Sequence, residues 1–151
     1  MSATNSLSQG VTLLRPEIEA SDVADKNGNP RPRILIVDDI SDNRTILTRR
    51  FQRRGFDVVE ADNGLTAIEL IAQGPFDLVL LDVMMPGIDG IETLKRIRGQ
   101  RSPSALPVIM VTAKSESTNI VDALELGAND YVTKPVDTDE LLACMERWLS
   151  R

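Results

Sequence analysis

The chain contains no histidine. That absence removes Ser-His and Cys-His nucleophile pairs, histidine metal sites and any histidine phosphocarrier. Chemistry in this chain must run on carboxylates, hydroxyls, lysine and a hard metal ion. Cysteine is nearly absent as well. Cys144 is alone and cannot form an internal disulfide, which fits a cytoplasmic setting. No apolar run approaches the length of a membrane span, and the N-terminus lacks a charged-then-apolar leader, so no membrane association is expected. Phosphate-cradling loops of the G-x-x-x-x-G-K-[ST] or G-x-G-x-x-G kind do not occur. Basic residues are outnumbered, 17 to 23, for a formal net charge of −6, which argues against direct nucleic-acid binding.

What is present reads as an ordinary globular chain. Its 151 residues, 42% hydrophobic and 26% charged, favour one domain with a real core. Residues 1–32 differ in texture: MSATNSLSQG is small and polar, DKNGNPRPR is turn-rich, and Pro16 interrupts the apolar stretch between them. This segment reads as a flexible tail or linker. From Arg33 onward, short apolar runs alternate with helix-period segments. ILIV (34–37), LVLL (78–81) and VIMV (108–111) are continuously apolar, as strands buried on both faces of a parallel sheet are. DVVEA (57–61) and DYVT (130–133) are more mixed, as suits strands nearer an edge.

The segments between them predict helices. Ser41 or Asp42 can cap NRTILTRRFQRR, which ends at Gly55. Asn63 or Gly64 opens LTAIELIAQ, closed by Gly74. Asp89 precedes GIETLKRIR, with Ile91, Leu94 and Ile97 on one face. Ser115 or Ser117 precedes STNIVDALEL, stopped by Gly127, and Thr138 starts the last helix. Five βα units in succession mean an α/β doubly wound domain.

In such a sheet, functional groups gather outside the carboxyl ends of the strands. The stretch LVLLDVMMPGID carries an apolar strand straight into Asp82 and then turns sharply. The first strand ends in Asp38-Asp39, the fourth in Thr112, and the fifth approaches Lys134. Any one of these aspartates alone is as well explained as a turn former or helix cap. Together they are not. Carboxylates about 4 Å apart repel by roughly 1 kcal/mol in water and about 4 kcal/mol at an effective dielectric near 20. Such a cluster needs a cation or raised pKa values to persist. Magnesium fits, because it takes oxygen ligands and keeps several waters. A carboxylate beside magnesium and a lysine is also a competent phosphoryl acceptor: Asp82 attacks, Lys134 meets one phosphoryl oxygen and Thr112 donates to another.

Asp38-Asp39, LLDVMMPGIDG, VTA with Thr112, and DYVTKP with Lys134 together resemble the receiver domain of two-component response regulators. The resemblance covers about residues 33–151. It implies a flavodoxin-like, five-stranded parallel sheet of order 2-1-3-4-5 with five helices. It also implies a phosphorylation-switch domain rather than an enzyme with external substrates. Asp82 then corresponds to the phosphoacceptor and Asp39 to a direct magnesium ligand, with Asp38 assisting through water. The Met84 backbone carbonyl completes the protein's share of the coordination. Thr112 and Tyr131 correspond to the switch hydroxyl and switch aromatic. Lys134 is the family's lysine, with a cis bond to Pro135. The implied donor is a phosphohistidine on a sensor histidine kinase or histidine phosphotransfer protein. The implied output is a downstream effector protein or output domain, with homodimerisation through the last two helices as a further implication. The chain is either a stand-alone receiver or a receiver cut from a longer regulator.

Other features carry less. Arg49, Arg50, Arg53 and Arg54 crowd the end of the first helix, where a solvated face complementing the helix dipole outweighs kinase docking. Met84 occupies a position that resembles one tuning phosphoryl lifetime, and an apolar side chain there points to slow hydrolysis. Lys114 belongs to the same rim as Thr112. Cys144 and Trp148 read as packing residues of the last helix. Three competing functions fit the sequence less well. An aspartyl-phosphate hydrolase usually has a D-x-D arrangement rather than adjacent aspartates. A flavin-type cofactor binder is poorly served by 3% aromatic residues. A degenerate scaffold would not retain every acceptor-site residue.

Overall fold

The computed structural model describes residues 30–113 and 117–150. Most of the segment read as a tail, Lys114 and Ser115 lie outside the described residues, as do the side chains of residues 117–119. The chain divides into two units, Met1–Arg31 and Pro32–Arg151, and the second carries the fold. It contains β1 (Arg33–Val37), α1 (Ser41–Arg53), β2 (Asp57–Ala61), α2 (Gly64–Gln73), β3 (Leu78–Asp82), α3 (Gly90–Arg98), β4 (Val108–Ala113), α4 (Ser117–Glu125), β5 (Asp130–Lys134) and α5 (Thr138–Leu149). The strands form one parallel sheet of order β2-β1-β3-β4-β5, as anticipated. The apolar runs of β1, β3 and β4 are its interior strands. The mixed β2 and β5 are its edges, each with a strand neighbour on one side only among the described residues.

The two-residue period of a strand divides the core into two layers. Leu35, Val37, Val79, Leu81, Val108 and Met110 face one side, where Ala67 and Ile71 of α2, Leu94 and Ile97 of α3 and Ala123 of α4 cover them. Ile34, Ile36, Leu78, Leu80, Ile109 and Val132 face the other, beneath Phe51 of α1 and Leu141, Leu142 and Met145 of α5. Each fully buried Leu or Ile contributes about 1.5–3 kcal/mol, so the layers hold the strand ends firmly in place.

Helix starts follow the expected chemistry at three places. Asn63 accepts from the Thr66 N–H, Asp89 from Glu92 and Asp137 from Glu140. α1 departs from expectation: it begins at Ser41, and its N-cap is Ile40, which has no side-chain cap bond. Neither Ser41 nor Asp42 caps it. The nearest carboxylate, Asp38, instead accepts from the Ile40 N–H at 2.9 Å and so shapes the turn into the helix. Gly55 and Gly127 follow their helices at φ +91° and +106°, a backbone that favours glycine.

Candidate functional site

The carboxyl ends of the strands meet on one rim. Asp82 is the last residue of β3 and is 2% exposed; Asp38 follows β1 and is also buried, while Asp39 is more open. One oxygen from each of these carboxylates lies within 4.8 Å of the others. β3 and β5 are not neighbours, yet Lys134 at the end of β5 reaches over β4, and its Nζ lies 3.1 Å from Asp82 Oδ2. The Met84 N–H donates to the other oxygen at 3.3 Å. The Lys134–Pro135 bond is cis, as the resemblance implied.

Burial is the largest influence on Asp82 and raises its pKa. Lys134 opposes that through charge and hydrogen bond, Asp38 adds to it by like-charge repulsion, and the Met84 N–H lowers it slightly. The net direction is upward. Burial, rather than the repulsion between neighbouring acids expected from the sequence, is the main cause.

Thr112 is buried at the end of β4, one residue beyond Val111, the Asp82 partner in the β3–β4 register. Its hydroxyl donates weakly to the Ala113 carbonyl at 3.4 Å. Tyr131 lies at the other end of β5 from Lys134, paired with Met110 and 40% exposed, away from the carboxylates. The Met84 side chain is 62% exposed, whereas Met85 is buried in the core. The site therefore gathers Asp38, Asp39, Asp82 and Lys134 closely, with Thr112 on the strand next to Asp82 and Tyr131 apart.

Three residues that sequence reasoning passed over support these groups. Asn43, in the first turns of α1, donates from Nδ2 to Asp38 Oδ2 at 3.2 Å. With the Ile40 N–H on Oδ1, both Asp38 oxygens are engaged. Arg44 binds the Asp38 carbonyl through Nη1 at 2.6 Å and Glu60 through Nε at 3.0 Å, tying β1 to β2. Gly90 presses against the backbone under Asp82: a Cβ there would overlap the Asp82 carbonyl oxygen and come within 2.7 Å of Val83 Cα. The aspartates announced themselves by following apolar runs, while these three have no comparable local signal. A cavity of about 270 Å³ opens beside the carboxylates, with Asp38, Asn43, Asp82 and Lys134 on its polar side and Ile46 and Val136 on its apolar side.

The donor set of the cluster is entirely carboxylate oxygen, which suits a hard divalent cation and not a soft one. Comparison with known proteins agrees with the geometry. The family model "Response regulator receiver domain" matches residues 34–146, and the chain belongs to that family. It is similar to the chemotaxis protein CheY-3 of Vibrio cholerae, 39% identical over 124 residues, 82% of this chain and 95% of that one. It also resembles the uncharacterized transcriptional regulatory protein YkoG of Bacillus subtilis, 43% identical over 110 residues, 73% of this chain. It spans about half the length of that relative, 47%. Among solved structures, it superimposes on the receiver domain of the sensor histidine kinase PA1611 from Pseudomonas aeruginosa PAO1 with a TM-score of 0.73 at 28% identity. The match covers 80% of this chain and 99% of that one, which holds a magnesium ion in its active-site cleft. Among the described residues, no helix is long and apolar enough to cross a membrane.

Proposed function

We propose that residues 33–151 form a phosphoacceptor that takes a phosphoryl group onto Asp82 from a phosphohistidine of a partner sensor kinase or histidine phosphotransfer protein. The observation that carries this reading is the convergence of three carboxylates within 4.8 Å, with Lys134 Nζ 3.1 Å from Asp82. An Asp82 oxygen bonds to phosphorus as the N–P bond of the donor breaks, and the donor imidazole leaves with the electron pair. The Met84 N–H and Lys134 orient the carboxylate for attack. Lys134 also meets the charge on the arriving phosphoryl oxygens, and Thr112 supplies a hydroxyl donor to them. Asp38, Asp39, Asp82 and the Met84 carbonyl would hold Mg²⁺. When bound, the ion neutralises negative charge that these residues alone cannot offset.

The product is a switch state, not a released compound. Thr112 and Tyr131 are the residues in which the change is read, on the face formed by α4, β5 and α5. That face would serve a downstream effector or output domain, or a second copy of the chain. Similarity to CheY-3 over nearly its whole length favours an effector protein, whereas YkoG, of which the aligned residues cover only 47%, favours an output domain. A cytoplasmic setting and a linker role for residues 1–32 belong to the same reading. Incubation with acetyl phosphate and magnesium, read by intact mass, tests it. A single phosphoryl adduct is expected on the wild type and none on Asp82→Asn. Equal labelling of both proteins would refute the assignment.

A further inference from the structure

At the opposite end of β5 from Lys134, two successive side chains fasten the strand to both faces of the sheet. Asn129 Oδ1 accepts from Arg98 Nη2 at 2.9 Å and from the Val108 N–H at 3.0 Å, and its Nδ2 donates to the Pro103 carbonyl at 3.1 Å. Asp130, the first residue of β5, fastens the strand to α5. Its Oδ2 receives Trp148 Nε1 at 3.1 Å, Cys144 Sγ at 3.2 Å and Arg147 Nη1 at 3.3 Å, while Oδ1 receives the Tyr131 N–H at 2.9 Å. Three donors on one oxygen exceed its two lone pairs, so these contacts compete and small movements redistribute them.

The electrostatics match this arrangement. Burial acts to raise the Asp130 pKa, but Trp148, the Tyr131 N–H, Cys144 and Arg147 outweigh it, and the net shift is downward. Burial and the Asp130 carboxylate push the Cys144 thiol up to about 12, so it keeps its proton and remains a donor near neutral pH.

β5 is therefore gripped by a carboxylate at each end, Asp82 on Lys134 and Asp130 on α5, over only five residues. We infer that Asp130 is a positioning residue that couples the state of the acceptor site to the placement of α5, through the Cys144, Arg147 and Trp148 donors. The inference rests on the phosphoacceptor reading above. When Lys134 trades its contact with Asp82 for one with the phosphoryl group, the strand carries the displacement to Asp130, and the crowded set of donors re-partitions. A physical coupling claim needs an element that both sites bias, and β5 is that element.

Trp148 is the only tryptophan and therefore reports on this joint. The test uses the full chain with magnesium, taking beryllofluoride as phosphoryl mimic for Trp148 emission and acetyl phosphate for intact mass. Wild type should show a saturable emission change. Asp130→Ala should reduce that change at least fivefold, measured against its own baseline, while Asp82 labelling stays within twofold. A full emission change in Asp130→Ala overturns the inference. So does parallel loss of emission change and labelling, which would mark a merely structural role, or a wild type that labels normally with silent emission. A wild type that takes no phosphoryl group at all would instead refute the acceptor reading. If circular dichroism shows that Asp130→Ala does not fold, Cys144→Ala takes its place, leaving two donors on Oδ2. A partial loss of the emission change is then expected, and an undiminished one overturns the coupling.

Discussion

Lys134 Nζ and Asp82 Oδ2 meet at 3.1 Å although their strands are separated by β4. Because Asp82 is 2% exposed, this ammonium is the strongest influence holding its charged form against burial. Lys134→Met keeps the aliphatic stem and removes the charge. The rate of labelling by acetyl phosphate should fall by about 100- to 1,000-fold, the scale of losing one charge stabiliser in a preorganised site. Mass-spectrometric time courses would show it, and an unaltered rate would mean that the pair is structural only.

The raised pKa of Asp82 sets the sign of a pH effect. The folded state binds the Asp82 proton more tightly than the unfolded chain does. Ionised Asp82 therefore costs stability, a cost that begins as pH rises past the ordinary value of 3.8 and is complete above the folded value. Without metal, Asp82→Asn should be more stable than wild type at pH 7. The advantage should shrink as pH falls toward the ordinary carboxylate value. Urea unfolding in chelator at several pH values measures this, and a variant less stable at pH 7 would contradict the burial argument.

Magnesium should reverse that order. A ligand held only by the folded state stabilises it by about 2.7 kcal/mol at a hundred times its Kd. Thermal unfolding of the wild type should therefore move upward with magnesium, and Asp39→Asn and Asp82→Asn should lose most of the shift. Asp57→Asn, which alters a carboxylate outside the cluster, should retain it. Equal shifts in all four proteins would show that the ion binds elsewhere.

Much of this site was legible because strands advertise their ends. An apolar run that stops at Asp82, or at Asp38-Asp39, locates a carboxylate on the rim once the sheet is known to be parallel, and the same holds for Thr112 and Lys134. The α1 cap was misread because a polar residue beside a helix start is a local signal. Its outcome depended on Asp38 taking the Ile40 N–H, a contact set by the turn. Asn43, Arg44 and Gly90 were invisible for a related reason: their partners lie outside their own helices, and no helix or strand spacing rule reports such contacts. Cys144 and Trp148 were correctly read as packing residues, but their polar edges find Asp130 only because β5 and α5 lie side by side.

Gly90 offers the sharpest separation of packing from backbone preference. It begins α3, its N–H bonds the Val83 carbonyl at 2.8 Å, and a methyl there would strike the backbone of Asp82 and Val83. Backbone cannot swing aside as a flexible side chain can, so Gly90→Ala must displace either α3 or the end of β3 that carries Asp82. Gly87, three residues earlier, has open space around it and φ +79°, so a methyl there meets nothing and costs only the left-handed backbone penalty of about 1–2 kcal/mol. Gly90→Ala should lose more than about 2 kcal/mol in urea unfolding, and its labelling rate should drop as Asp82 shifts. Gly87→Ala should lose less and keep labelling within about twofold of wild type. If the two variants prove equal in both measurements, close packing under Asp82 is not what holds the acceptor in place.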